Sequence, residues 1–137
     1  MNGLTIAGAV LAVIAALIHV YIFVLESVRW TAPATRKVFG VRTAEDAELM
    51  RPLAFNQGFY NLFLALGALV GIVLIVTGGV VRAGYGVAIF ALSCMTLAAV
   101  VLVSSNPRML RAALLQGVAP LAGIVLLALG AVALTTG

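Results

Sequence analysis

The sequence predicts an all-α integral membrane protein, built as a bundle of four transmembrane helices in one domain. Of its 137 residues, 64% are hydrophobic and only 9% are charged, and the mean hydropathy is +1.24. Because a soluble domain carries about 25% charged residues, these few charges do not cover a water-facing surface. The composition therefore argues against a disordered chain, a soluble enzyme and a nucleic-acid-binding protein.

Four stretches without a charged residue divide the chain, at 1–25, 53–81, 83–107 and 112–137. A helix of about 20 apolar residues crosses the roughly 30 Å of hydrocarbon in a bilayer, so each stretch crosses once. Helices are expected because lipid offers no hydrogen-bond partner to an open backbone. We therefore predict helices at about 4–27, 53–77, 84–104 and 112–134, all within a single membrane domain, 1–137.

The long loop between the first two predicted helices carries a helix-start signal. Thr43 precedes Glu45 and Asp46, which fits an N-cap followed by acidic residues in the first turn. We predict a short interfacial helix at about 44–51 that leads into the second span. Pro52 then suits the first turn of a new helix or a bend between two helices. A solvated charged loop is the alternative.

Lysine and arginine residues lie mainly on one side of the predicted bundle. Seven of them flank or fill the first and third loops, namely Arg29, Arg36, Lys37, Arg42, Arg51, Arg108 and Arg111. Arg82 alone lies in the second loop. By the positive-inside rule, the long first loop is cytoplasmic and both termini lie outside. The net charge of +4 therefore reports orientation, and we expect membrane lipid and no nucleic acid among the partners.

Polar side chains of the predicted helices gather in the cytoplasmic half of the bundle. They are His19, Glu26, Trp30, Asn56, Gln57, Tyr60, Asn61 and Gln116. His19 and Glu26 are seven residues apart, which places them on one face of an α-helix. The outer half holds little beyond small and aliphatic residues. Because burying an unpaired polar group is costly, this clustering predicts a ligand-binding pocket that opens toward the cytoplasm.

The same residues limit the chemistry that the protein can perform. His19 and Glu26 are two helical turns apart and there is no second histidine, so we expect no metal and no cofactor. If chemistry occurs, these two are the candidate catalytic acid and base. Structural roles stay open as alternatives: an interhelical hydrogen bond for the histidine and an interfacial ion pair for the glutamate. Trp30 and Tyr60 equally fit an interfacial aromatic belt.

Small residues form lines on three of the predicted helices. The lines are Gly8, Ala12 and Ala16; Gly67 and Gly71; and Ala119 and Gly123. Such lines predict close contacts between helices. Packing within one chain and contact between copies in a homo-oligomer both fit this pattern.

Several motifs match a family pattern. They are His19-Val20-Tyr21, Leu25-Glu26, Trp30-Thr31, Lys37-Val38-Phe39-Gly40, Asn56-Gln57-Gly58-Phe59-Tyr60-Asn61, Phe63-Leu64-Ala65, and Gln116-Gly117 with Pro120. In these motifs the chain resembles, over nearly its whole length, the small bacterial membrane proteins of domain-of-unknown-function family 1304 (DUF1304). The resemblance implies a four-helix protein of the bacterial inner membrane with no assigned activity, and it supplies no catalytic residues.

Three functions fit these observations. The first is binding of, or catalysis on, a small amphipathic or lipid-like molecule that enters from the cytoplasmic leaflet. The second is an accessory or assembly subunit whose polar cluster only fixes helix register. The third is a small proton-coupled exporter, although Glu26 lies at the end of its helix before a long loop, whereas such exporters carry a glutamate in mid-membrane.

Overall fold

A computed structural model describes residues 1–135, and all regular structure among them is helical. The helices are α1 (Gly3–Phe23) with a following π-helical turn (Val24–Val28), α2 (Pro33–Phe39), α3 (Ala44–Thr77), α4 (Val81–Ser105), and α5 (Leu110–Thr135) with a preceding 3₁₀ turn (Pro107–Met109). Four segments are long and apolar enough to cross a membrane: Gly3–Val28, Ala44–Thr77, Val81–Ser105 and Pro107–Ala133. The predicted fold class is therefore confirmed, and the chain is a multi-pass membrane protein.

The four long helices form a bundle whose outer surface is apolar. Helix α1 packs against α3 and α5, and α4 packs against the same two helices, so α1 and α4 lie diagonally across the bundle. Large apolar side chains such as Leu17, Phe63, Phe90 and Leu115 are exposed on the outside. Lipid solvates such a surface and water does not. We refer to the end of the bundle that carries α2 as the α2 end.

The small-residue lines pack the four long helices closely against one another. A Cβ atom on Gly8 would lie 2.9 Å from the Leu127 side chain, and one on Gly71 would collide with the backbone of Ala88. A Cβ atom on Gly123 would lie 3.3 Å from Leu92. The small residues therefore allow close packing between helices of the same chain. A homo-oligomer stays a prediction that this packing does not require.

Helix α3 begins as predicted but does not break at Pro52. The Thr43 side-chain oxygen accepts a hydrogen bond of 3.0 Å from the backbone N–H of Asp46, which confirms the predicted N-cap. The separate interfacial helix is wrong, because the chain continues as one helix of 34 residues. Proline removes a single helical hydrogen bond. Buried Ala47 and Ala54, which precede and follow Pro52 in the sequence, belong to one packed cluster with Trp30, so tertiary contacts hold α3 on both sides of the proline.

A short helix, α2, folds back beneath the bundle and is held by Trp30. The indole Nε1 donates a hydrogen bond of 2.8 Å to the backbone oxygen of Ala47. The indole ring also packs against Phe39, with 5.2 Å between ring centroids. Only 6% of Trp30 is exposed. The tryptophan therefore ties the loop and α2 to the first turns of α3.

Replacing Trp30 by Phe is expected to loosen this loop without unfolding the bundle. The change removes the hydrogen bond to Ala47, which contributes about 1 kcal/mol, so the loop opens roughly fivefold more often. Tryptic cleavage after exposed Arg42 should accelerate by that factor. The matched control is Tyr60→Phe, which removes a polar contact on the outer surface of α3. Equal cleavage rates in the two variants would contradict the role given to Trp30.

The half of the bundle opposite the α2 end is less uniformly apolar than the sequence indicates. The hydroxyl groups of Thr5 and Tyr85 lie 2.7 Å apart and are buried. The Asn2 side chain accepts from the backbone N–H of Thr5 at 2.9 Å and donates to the Gly130 oxygen at 3.0 Å. Expecting polar groups at one depth only was therefore wrong. These groups satisfy one another and cap the start of α1, which is a structural role.

Candidate functional site

The π-helical turn that ends the first span lies unusually close to α3. A Cβ atom on Gly58 would collide with the Ser27 hydroxyl, so only glycine allows this approach. The Ser27 hydroxyl donates a hydrogen bond of 2.8 Å to the backbone oxygen of Phe55. Phe23 packs edge-on against Phe59, with 5.1 Å between ring centroids. The contact fixes the position of the turn against α3, and Glu26 lies within this turn.

A buried hydrogen bond joins Glu26 to Asn61. Both residues are 8% exposed. The Asn61 amide nitrogen donates to the Glu26 carboxyl oxygen Oε2 at 2.9 Å and to the backbone oxygen of Gln57 at 3.2 Å. The second bond holds the amide in place on its own helix. The carboxyl group is thus positioned by a side chain that is itself fixed.

Beside this pair lies a cavity of about 490 Å³, which we call the inner cavity. The residues of its lining that carry polar side-chain groups are Tyr21, Glu26, Gln57, Asn61, Ser105 and Gln116. Most of the remaining wall is apolar and includes Leu25, Leu102, Met109 and Leu115. Ligand pockets in proteins typically measure about 300–1,000 Å³ and combine an apolar wall with a few polar groups. The volume of the inner cavity falls within this range.

His19 lies apart from the inner cavity, in the core of the bundle. It is 1% exposed, and its Nδ1 lies 2.9 Å from the backbone oxygen of Ala15. The expectation that His19 and Glu26 share one face assumes a continuous α-helix. The π-helical turn from Val24 changes that register, because its hydrogen bonds connect residues five apart. The geometry thus separates the two predicted acid–base residues.

Trp30, Asn56 and Tyr60 also lie outside the inner cavity. The Tyr60 side chain is 53% exposed, and its hydroxyl accepts a hydrogen bond of 3.3 Å from the Asn56 amide. Trp30 and Asn56 line a separate, smaller cavity of about 330 Å³, to which Glu26 and Gln57 also contribute. Of the predicted set, the structure brings together Glu26, Gln57, Asn61 and Gln116 around the inner cavity.

A family model described as "Protein of unknown function (DUF1304)" matches residues 13–128, which is most of the chain. The chain belongs to this family. The match covers all four predicted residues that line the inner cavity. No curated protein and no solved structure matches the chain.

One wall of the inner cavity in this DUF1304 protein was not predicted. Ser105, whose place at the end of its helix gives it the depth of the polar cluster, lines the cavity from α4, whereas Phe39 lines it from α2. Helix α2 itself was not predicted, although its signals are present: Pro33 occupies its first turn, and Gly40 ends it in a left-handed conformation with φ of 71°. These two residues mark the helix, but the position of Phe39 against the bundle depends on tertiary contacts.

The DUF1304 site offers hydrogen bonding and one carboxyl group. Within the described part of the chain, no three His, Cys, Asp or Glu side chains lie together in a way that could hold a metal ion. Cys94 has a free thiol and is half-buried in α4. Amide groups supply both donors and acceptors, whereas the Glu26 carboxyl group is the one acidic group in the cavity lining. Such a set can orient a polar group next to an apolar chain.

Proposed function

We propose that the inner cavity binds a small amphipathic or lipid-like molecule that enters from the cytoplasmic leaflet of the bacterial inner membrane. The observation that carries this proposal is the fixed Glu26–Asn61 pair beside a largely apolar cavity of about 490 Å³. The charge distribution supports a topology with both termini outside and the α2 end in the cytoplasm. A molecule from that leaflet then reaches the cavity directly.

The lining suggests how such a molecule would lie. Its polar group would be bound by Glu26, Asn61 and Gln116, and its apolar part would lie along Leu102 and Leu115. The buried Asn61 amide favours a ligand that keeps it paired, because an unpaired buried polar group costs about 1–3 kcal/mol. Glu26 is the remaining candidate for moving a proton on the bound molecule, since His19 lies in the core.

Asn61→Leu is expected to release a ligand that co-purifies with the protein in mild detergent. The substitution removes an amide from the cavity, whereas Asn56→Leu makes the same change five residues earlier, on the exposed surface of the same helix. Lipid and small-molecule analysis of both preparations measures the difference. We expect at least a tenfold loss of ligand with Asn61→Leu, because each 1.4 kcal/mol of lost binding is tenfold in affinity, and little loss with Asn56→Leu.

Ala112→Phe tests the same proposal without touching the Glu26–Asn61 hydrogen bond. Ala112 lines the inner cavity from α5, so a phenyl ring there fills space that the ligand needs. The folded variant should lose the co-purifying molecule. A molecule retained at wild-type level by both Asn61→Leu and Ala112→Phe would overturn the proposal.

A second function, an accessory subunit with a purely structural polar cluster, is favoured by one observation. The Glu26–Asn61 and Ser27–Phe55 hydrogen bonds both join the π-helical turn to α3, and together they fix helix register. Under this reading the purified protein carries no ligand, and substitutions at Glu26 change only stability. Preparations that are consistently empty, with intact folding, would select this function over the first.

A further inference from the structure

A second cavity at the α2 end is lined by basic side chains. It measures about 660 Å³ and lies between α2 with the residues that follow it and the turn that joins α4 to α5. Its charged lining residues are Arg36, Lys37, Arg42 and Arg108, and Asn106 adds an amide. No acidic side chain contributes to this lining. We call this space the basic cavity.

The four positive charges have no carboxylate partner. Among the described residues, the one ion pair joins Arg51 to Glu48, which lie elsewhere on α3. The carboxyl-terminal ends of α2 and α4 lie close by, but each contributes only about half a negative charge. The lining therefore carries an excess of positive charge. Lys37, Arg42 and Arg108 are exposed, so water screens part of their mutual repulsion, and a bound anion would reduce the rest.

Arg36 provides a second observation that points to an anion-binding site. Its Nε atom is buried and makes no hydrogen bond to any residue that the structure describes. An unpaired buried donor is rare in proteins, because leaving it unpaired is costly. A guanidinium group with a free Nε–H suits the paired oxygen atoms of a phosphate group, which it binds through two parallel hydrogen bonds.

The basic cavity adjoins the inner cavity through shared walls. Val38, Phe39 and Met109 line both spaces. An apolar wall that continues into a cluster of cations matches a molecule with an apolar chain and an anionic head. We infer that the basic cavity binds the phosphate group of an amphiphile that extends into the inner cavity, where a polar linkage faces Glu26 and Asn61 and the apolar chain fills the rest. The placement of the ligand's apolar chain rests on the proposed function, whereas the phosphate site does not.

Binding of three probes to the purified protein in uncharged detergent tests the inference. The probes are hexadecyl phosphate, hexadecanol and inorganic phosphate. The variants are the double variant Arg36→Gln with Arg108→Gln, the single variant Ala112→Phe, and the control Arg29→Gln. Arg29 is exposed, lies at the same end of the bundle and lines neither cavity. Loss of charged hydrogen bonds weakens affinity roughly tenfold to a hundredfold.

We expect hexadecyl phosphate to bind tightly to the parent protein. The double variant Arg36→Gln with Arg108→Gln should weaken this binding roughly tenfold to a hundredfold, while Arg29→Gln should leave it unchanged. Hexadecanol should bind more weakly than hexadecyl phosphate and should be insensitive to the arginine variants. Equal binding of both long-chain probes, unaffected by Arg36→Gln with Arg108→Gln, would overturn the phosphate site and leave the proposed function standing. Inorganic phosphate that binds as tightly as hexadecyl phosphate, with no effect of Ala112→Phe, would keep the phosphate site and overturn the proposed function.

Discussion

Gly71→Val is expected to destabilise the bundle by about 3 kcal/mol, at the upper end of the usual cost of overpacking. A side chain at Gly71 collides with the backbone nitrogen and Cα of Ala88, where α3 and α4 cross. A flexible side chain could rotate away, but a helix backbone yields only by moving the whole helix. Unfolding in detergent mixtures, followed by circular dichroism, measures the loss of stability.

The matched control is Gly86→Val, which makes the same substitution in the helix that Gly71 contacts. No heavy atom lies within 4 Å of a Cβ atom built on Gly86. Because valine favours a helix slightly more than glycine does, this variant should be as stable as the parent or slightly more so. If both variants lost the same stability, close packing at Gly71 would not explain the effect, and the α3–α4 contact would need revision.

The number and type of the long helices follow from composition because the bilayer leaves few choices. A stretch without charges that is long enough to cross must be helical, since no other single segment satisfies its own backbone in lipid. The start of a helix at a cap such as Thr43 depends on neighbouring residues only, so it can be predicted from the sequence. Pro52 was misjudged because its effect on the helix is local, whereas the packing of Ala47 and Ala54 with Trp30, which holds the helix on both sides of it, is tertiary.

The candidate site was only partly predictable, and the π-helical turn explains much of the difference. Depth in the membrane can be counted along a helix, so Glu26, Gln57, Asn61 and Gln116 could be grouped by depth. Direction around the helix depends on an unbroken register, which the turn from Val24 interrupts. The sequence contains no clear signal for this turn. The outward orientation of Tyr60 depends likewise on how α3 is rotated against its neighbours.

Asn61→Leu is expected to cost about 2–3 kcal/mol of stability, because it leaves the buried Glu26 carboxyl group without the one hydrogen bond that the described residues give it. Glu26→Leu removes the same bond from the other side. Combining the two substitutions replaces both partners by apolar groups of similar size, and such a replacement changes the free energy of unfolding little. The double variant should therefore be more stable than the sum of the single losses predicts.

The coupling energy in this double-mutant cycle should be about 1–2 kcal/mol, near the upper end of values measured between membrane helices. The control cycle pairs Glu26→Leu with Thr77→Val and should be additive within about 0.5 kcal/mol, because Thr77 bonds to the Val73 oxygen at the far end of α3 and lines neither cavity to which Glu26 contributes. Additivity in the first cycle would show that the Glu26–Asn61 bond contributes nothing.

The double variant Glu26→Leu with Asn61→Leu also separates the two proposed functions. It keeps the helices in register through the Ser27–Phe55 bond and the close contact at Gly58, yet it removes the acid and one amide from the inner cavity. If the protein is an accessory subunit and its polar cluster is purely structural, this variant should fold and should still perform its role with its partner subunit. A binding site predicts a folded protein that retains less than about a tenth of the ligand, because a buried polar group of the ligand loses its partners. Since stability is largely restored in this variant, loss of ligand cannot be attributed to unfolding.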